Sequence, residues 1–337
     1  MRKYNSRKIP VAICEFLMFL ILFHSKDAID GAKNGVILCL YTVIPALFPF
    51  SVLSVMLRSR ITGRSNRFLR HYERICNLPE GFGRIFLIGL LGGYPIGAIC
   101  IEEYVKEGSL NSSEVKYLRA ICNNAGPSFI IGMTAGLFSN KKYSIYLLMI
   151  QSLSAILTCA IFSQNNQPTL HTITPRACKI TDALKTSCSS MAVVCGIIIL
   201  FNAITAILKN YITKFVTQTA WIIITGLLEL TSGISLLSLL FSEELRFIIA
   251  AGMLSFGGFC VTLQTISLSG LGGGYYIVGK LIQAVISILL AYCIIRLQYG
   301  CFIIYLALFM VIRYSKLLKK NKCILVNNSG NSRRNPV

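Results

Sequence analysis

The sequence predicts an all-α protein that passes through a membrane many times, and three observations carry that expectation. Hydrophobic residues make up 54% of the 337 and charged residues only 14%, where soluble domains carry about 25% charged residues. The mean hydropathy is +0.66. The apolar residues fall in blocks of about 20, the length a helix needs to cross roughly 30 Å of hydrocarbon. The ten-residue in-and-out alternation of membrane barrels is absent, which leaves helices as the way to satisfy the backbone in lipid. A soluble fold is excluded.

About ten apolar segments are expected, near residues 10–24, 35–57, 84–101, 117–139 and 143–163, then 186–208, 217–240, 246–268, 275–295 and 300–313. The first follows basic residues as a signal peptide would. The sequence after it, HSKDAIDGAK, offers no small-residue cleavage site, so it reads as a retained helix.

The net charge of +20, from 33 Lys+Arg against 13 Asp+Glu, gathers at alternate joints. Arg2, Lys3, Arg7 and Lys8, the stretch from Arg58 to Arg84, Lys141 and Lys142, Lys209 and Lys214, and the tail from Arg313 share one face if all ten segments cross. The positive-inside rule makes that face cytoplasmic, with both termini on it. Topology therefore accounts for the charge. Arg58, Arg60, Arg64, Arg67, Arg70 and Arg74 suit anionic lipid headgroups, and no nucleic-acid partner is expected, since the basic residues are not interleaved with stacking aromatics.

Thirteen cysteines contain no CxxC, and Cys39, Cys100, Cys122, Cys159, Cys195 and Cys260 sit inside apolar segments as small hydrophobes. His24, His71 and His171 share no ligand spacing. No metal site and no cofactor are expected. Nor is an enzyme, for HExxH, GxSxG, paired intramembrane acids and a phosphate-binding glycine loop are all missing.

Self-comparison reveals a weak ordered repeat. GLLGGYPIGA at 89–98 matches GLLELTSGIS at 226–235, SEVKYLRAICNNAGPSF at 113–129 matches SEELRFIIAAGMLSFGGF at 242–259, and ALFPF at 46–50 can be set against ILFNA at 199–203. The expected layout is a basic segment and first helix (1–34), unit one (35–163), a connection (164–185), unit two (186–297), and a last helix with a basic tail (298–337). Each unit holds a plain helix, two helices broken by glycine and small polar residues, and a closing helix. If every segment crosses, the units are parallel; if one broken segment per unit re-enters, they are inverted.

The breaks mark where a substrate path would lie, because interrupted helices expose half-helix ends to a cavity. Gly92, Gly93, Tyr94, Pro95 and Gly97 form the first, where Pro95 lacks an N–H and disfavours helix at Tyr94. Asn123, Asn124, Ala125, Gly126, Pro127 and Ser128 form the second. Their repeat counterparts are Glu229, Thr231, Ser232 and Gly233, then Ser255, Gly257, Gly258, Thr262 and Gln264. The alternative role of such residues is close helix packing, as for Gly93 with Gly97 or Gly132 with Gly136.

Intramembrane charge costs roughly 2.5–3.5 kcal/mol at a helix centre, and Glu229 and Lys280 are the deepest ionisable residues. Glu229 suits a coupling proton or cation and Lys280 an anionic substrate group; alternatively the two neutralise each other. Glu15 and Arg119 lie nearer segment ends and can snorkel.

PALFPF, GLLGGYPIGA, NNAGPSFIIG, GLLELTSGI and SFGGFCVTLQ together resemble the YlbJ family of sporulation integral membrane proteins (SpoVV type), which carry a nucleoside-recognition or gate domain, over roughly residues 35–295. The resemblance implies transport of a small solute, dipicolinic acid across the outer forespore membrane of endospore formers. It also implies kinship with concentrative nucleoside transporters, whose inverted repeats contain re-entrant hairpins. Carried over by position, the cavity residues are Gly93, Tyr94, Pro95, Gly97, Asn123, Asn124, Ser128, Glu229, Thr231, Gly233, Gly257, Gly258 and Gln264. The short joint from Ser269 to Tyr275 departs from the family's longer polar connection. A nucleoside or other small-metabolite transporter and a non-transporting scaffold for spore formation are the alternative functions.

Overall fold

The computed structural model describes residues 11–58, 66–67, 69–70, 73, 81–106, 108, 118–162, 179–269 and 274–296. Among them every regular element is a helix. The expectations that rest on Arg2, Lys3, Arg7, Lys8, Arg60, Arg64, Arg74, His71 and His171 lie outside the described residues. So do those on residues 164–178, the glycines at 270–273, the segment 300–313 and the tail.

Five helical runs are long and apolar enough to cross a membrane: Ser25–Leu57, Lys142–Cys159, Ile180–Ile212, Glu243–Ser269 and Gly274–Arg296. The chain is thus a multi-pass membrane protein.

Among the described residues helix α1 (Val11–Phe23) is largely exposed and packs through Leu20 and Ile21 against Ala28, Ala203 and Ile207. Helix α2 (Ser25–Leu38) passes through a widened π turn at Cys39–Val43 into α3 (Ile44–Arg58). The turn answers the two prolines that follow: Pro45 and Pro49 cannot donate to the ladder, and the Ile44 N–H reaches back five residues to Cys39. The helix begins at Ser25, ten residues before the apolar block, because its polar first turns pack on helix α9 (Ile180–Ile212). Methyl groups built on Gly31 and Gly35 would lie 2.5 Å from the Asn202 carbonyl oxygen and 2.9 Å from the Ile199 Cα, so these glycines bring the two long helices into backbone contact.

Two of the broken segments fold back on themselves. Helices α4 (Phe82–Gly92) and α5 (Ile96–Lys106) fold back on each other, as do α10 (Gln218–Leu228) and α11 (Leu230–Leu236). A methyl on Gly89 would sit 2.9 Å from the Gly97 Cα, and one on Gly233 would sit 2.2 Å from the Gly226 Cα. Continuous helix would hold these pairs about 12 and about 10 Å apart. The sequence leaves open whether 84–101 and 217–240 run on or turn back; in the structure each is a hairpin whose arms close on a glycine pair.

The other two broken segments do not fold back. Helix α6 (Leu118–Cys122) is followed by extended residues 123–126 and then α7 (Pro127–Thr134), and α12 (Glu243–Phe256) by Gly257 and then α13 (Gly258–Ser269). Helices α8 (Lys142–Phe162) and α14 (Gly274–Arg296) pack together and against α12. Leu147, Ile150, Phe247, Ala250, Leu254, Ile286 and Leu290 form the buried apolar centre of that bundle.

Candidate functional site

The interruptions converge. At hairpin one, Gly93 takes φ +76°, and the Tyr94–Pro95 peptide is cis. Methyls on Gly89 and Gly97 would overlap the Cys122 carbonyl oxygen at 2.0 and 1.9 Å, so the hairpin's two arms clasp the point where α6 unwinds. Gly93 in turn lies against Gly126.

Gly257 and Gly258 take φ +83° and +80°, a region L side chains rarely adopt. They end the α12 ladder, and the carbonyl of Leu254 accepts the Tyr94 hydroxyl at 2.9 Å. The Tyr94 ring lies against Gly257, while Gly258 faces the last carbonyls of α10 at Gly226, Leu227 and Leu228. Hairpin one is thereby fastened to the second interrupted helix, and hairpin two closes on its other side.

Between them is a cavity with about 30 Å³ of room for water-sized particles, enough for one or two waters. Its lining draws on both long helices (Val43, Leu47, Val194, Ile198), hairpin one (Tyr94), hairpin two (Glu229, Leu230, Thr231) and both interrupted helices (Ala125, Gly126, Phe129, Val261, Gln264). Of the residues expected at the site, Tyr94, Glu229, Thr231 and Gln264 meet there.

Glu229 is buried and caps α11: its two carboxylate oxygens accept from the N–H groups of Thr231 at 2.9 Å and Ser232 at 2.7 Å. Such a cap answers donors that a helix start would otherwise leave unpaired. Ser232 also donates its hydroxyl to Asn202 Oδ1 at 2.7 Å, tying the tip of hairpin two to α9. Gln264 turns its amide nitrogen to Cys260 Sγ at 3.2 Å.

Behind Tyr94 lies a buried polar cluster. Lys280, fully buried, donates to Gln283 Oε1 at 2.8 Å and Asn124 Oδ1 at 3.2 Å, and its Nζ is 5.2 Å from the centre of the Tyr94 ring. Asn124 Oδ1 also accepts from Gln283 at 2.8 Å and Gln151 at 3.3 Å. Gln151 accepts from Ser255 at 2.7 Å. Asn123 donates to Thr265 Oγ1 at 2.9 Å and the Tyr276 hydroxyl at 3.0 Å, and its Oδ1 has no partner among the described residues.

Lys280 and Asn124 therefore stand behind the cavity wall, not in it. No ion pair joins Lys280 to Glu229 among the described residues, so the reading in which they neutralise each other is set aside: each is held by uncharged groups. Ser128 lies farther out, donating to the Ala46 carbonyl at 2.7 Å. Gly93, Pro95, Gly97, Gly233, Gly257 and Gly258 shape the backbone around the cavity. Sequence reading missed Gln151, Gln283, Tyr276 and Asn202. A search for amides in mid-segment would have found the two glutamines, which are costly in lipid unless partnered.

Among the described residues no three His, Cys, Asp or Glu side chains gather as metal ligands. Comparison with protein families, curated proteins and solved structures gives no match.

Proposed function

We propose that this chain is a membrane transporter of a small polar or anionic solute, with its substrate site at the meeting of the two hairpin tips and the two interrupted helices. The observation that carries the reading is the cavity lined by Tyr94 and Glu229 from different hairpins. Unwound backbone at membrane depth is tolerated where it lines a path or is buried in protein, and here four interruptions share one place.

The chain is read as two units, each a long crossing helix, a hairpin, an interrupted crossing helix and a closing helix. Three crossings per unit make the second inverted relative to the first. The closing helices support this: Gln151 and Gln283 hold the same place in α8 and α14, and each bonds to the interrupted helix of the other unit, at Ser255 and Asn124. With re-entrant hairpins, the end of α3 and the start of hairpin one at Arg84 fall on one face, and Lys141, Lys142, Lys209 and Lys214 on the other. The basic residues of the 58–84 stretch of sequence make the first of these faces the cytoplasmic one under the positive-inside rule.

Glu229 holds the tip of hairpin two and presents the cavity's carboxylate, the place for a coupling cation. Dipicolinate is the proposed substrate, on the resemblance to the YlbJ family, and the outer forespore membrane the proposed location. The small cavity is then a closed state that must widen to admit it.

Uptake of radiolabelled dipicolinate into liposomes containing the purified protein, with uridine in parallel, tests the reading. Saturable dipicolinate uptake that Tyr94→Ala abolishes is expected. Uridine uptake alone would change the substrate, and uptake of neither, by a protein shown to be folded, would leave a non-transporting role.

A further inference from the structure

The most unusual group in the described structure is Lys280: fully buried in a crossing helix, with no carboxylate beside it. Its three N–H bonds are accounted for by Asn124, Gln283 and the face of Tyr94. None is left for a substrate anion.

The groups facing Lys280 are uncharged or weakly acidic. Hairpin one brings Tyr94, α6 brings Cys122, and Tyr276 lies one turn away on α14 itself. Arg119, also on α6, is paired with Glu102 at 3.2 Å. Helices α8 and α12 present Gln151, Ser154 and Ser255 at this level, and the charges of α12, Glu243, Glu244 and Arg246, are confined to its first turn.

Asn124 Oδ1 is overfilled. Lys280, Gln283 and Gln151 all donate to it, and an amide oxygen has two lone pairs. If the ammonium gives one proton to water, the neutral amine gains a lone pair that can accept from a glutamine amide, and the crowding is relieved. The attraction of the ammonium for the Tyr94 ring ends in the same step. Tyr94 is the residue through which hairpin one lines the cavity and holds the Leu254 carbonyl.

The device is one-sided. Lys280 is the seventh residue of α14, and the seventh residue of α8 is Leu148. Among the described residues, only hairpin one has a lysine behind its tip.

We infer that Lys280 is a proton-binding site distinct from Glu229, and that its protonation sets the hold of hairpin one on the cavity, so that a proton is the cation coupled to movement of that hairpin. The inference rests on the transport reading for its purpose, and its test does not.

Backbone hydrogen exchange of residues 82–106 in the liposome-embedded full chain, corrected for intrinsic rates, is to be followed from about pH 5.5 to about 10, where lysines in proteins titrate. The wild type should show a pH-dependent change of about tenfold in protection at residues 89–98, which in Lys280→Met is flat and in Lys280→Arg stays at the low-pH level. Glu229→Gln, whatever it does to overall protection, should keep the pH-dependent change at residues 89–98. An unchanged pH response in Lys280→Met, or its loss in Glu229→Gln alone, overturns the inference. Should Lys280→Met fail to fold, Lys280→Arg decides the matter by itself, since a group that stays charged cannot show the transition. In a second arm, pH-gradient-driven accumulation of dipicolinate should fall about tenfold or more in both Lys280 variants; undiminished accumulation counts against the inference. If dipicolinate enters with no variant, the proposed substrate fails and the exchange profile alone decides Lys280.

Discussion

The hydroxyl of Tyr94 donates to the main-chain carbonyl of Leu254 at 2.9 Å, across 160 residues of sequence. Both partners are buried, and the bond joins the tip of one hairpin to the last turn of a helix that stops at Gly257. Tyr94→Phe keeps the ring and removes the donor. It should lower stability by about 1–3 kcal/mol, the cost of leaving a buried carbonyl unpaired, seen as a lower melting temperature in detergent. Tyr94→Ala should cost more, because it also empties the wall between the cavity and Lys280.

The glycine pairs make a sharper contrast. Gly97→Ala would drive a methyl to 1.9 Å from the Cys122 oxygen, whereas Gly132 and Gly136 have nothing within 4 Å of an added methyl. Gly97→Ala and Gly233→Ala should each destabilise by about 3 kcal/mol or prevent folding, since backbone cannot move aside as a flexible side chain can. Gly132→Ala should be neutral or slightly stabilising, because alanine favours helix by about 1 kcal/mol over glycine. Comparing folded yield by size-exclusion chromatography separates these outcomes.

The breaks themselves were legible. Pro95, Pro127 and the glycines around 93, 126 and 257 announce interrupted helix in any setting, and the interruptions occur there, whereas in hairpin two the break falls at Glu229 and Gly233 lies inside α11. What could not be read was the direction of the chain after each break. A crossing helix with a gap and a hairpin share the same local signals, and the difference lies in whether Gly89 meets Gly97, a contact between residues on separate arms. The polar turns of α2 were missed for a related reason. Asp27 accepts from Asn210 at 2.7 Å, and Gly31 meets α9 backbone, so burial against a neighbouring helix replaces the apolar pattern that sequence reading relies on. Lys280 was legible as unusual and Asn124 as a site residue; that they meet, with Gln283 between them, was not, because the contact joins residues 156 apart in the chain.

Glu229 offers a test that separates capping from charge. In Glu229→Gln one oxygen still accepts, but an NH2 group faces an N–H of Thr231 or Ser232, leaving that donor buried and unpaired. Stability should drop by about 1–3 kcal/mol. Glu229→Asp retains both acceptors on a shorter stem and should lose less. If the two are equally stable, the amides are satisfied by other groups and the cap is not what holds hairpin two.

Gln283 and Gln151 occupy corresponding places yet should differ on removal. Gln283→Leu deprives Lys280 of its nearer acceptor, at 2.8 Å, and leaves the ammonium leaning on Asn124 alone. Gln151→Leu removes a longer contact to Asn124, at 3.3 Å, and the acceptor of the Ser255 hydroxyl, which still has Ser287 beside it. Weakening the solvation of a buried charge costs more than losing a neutral hydrogen bond, so Gln283→Leu should be the more destabilising by about 1–2 kcal/mol. Pairing each with Lys280→Met in a double-mutant cycle checks the cause. With the lysine gone the excess cost of Gln283→Leu should vanish, while that of Gln151→Leu should stay. Persistence of the excess would mean that Gln283 serves the packing of α14 and not the charge at its centre.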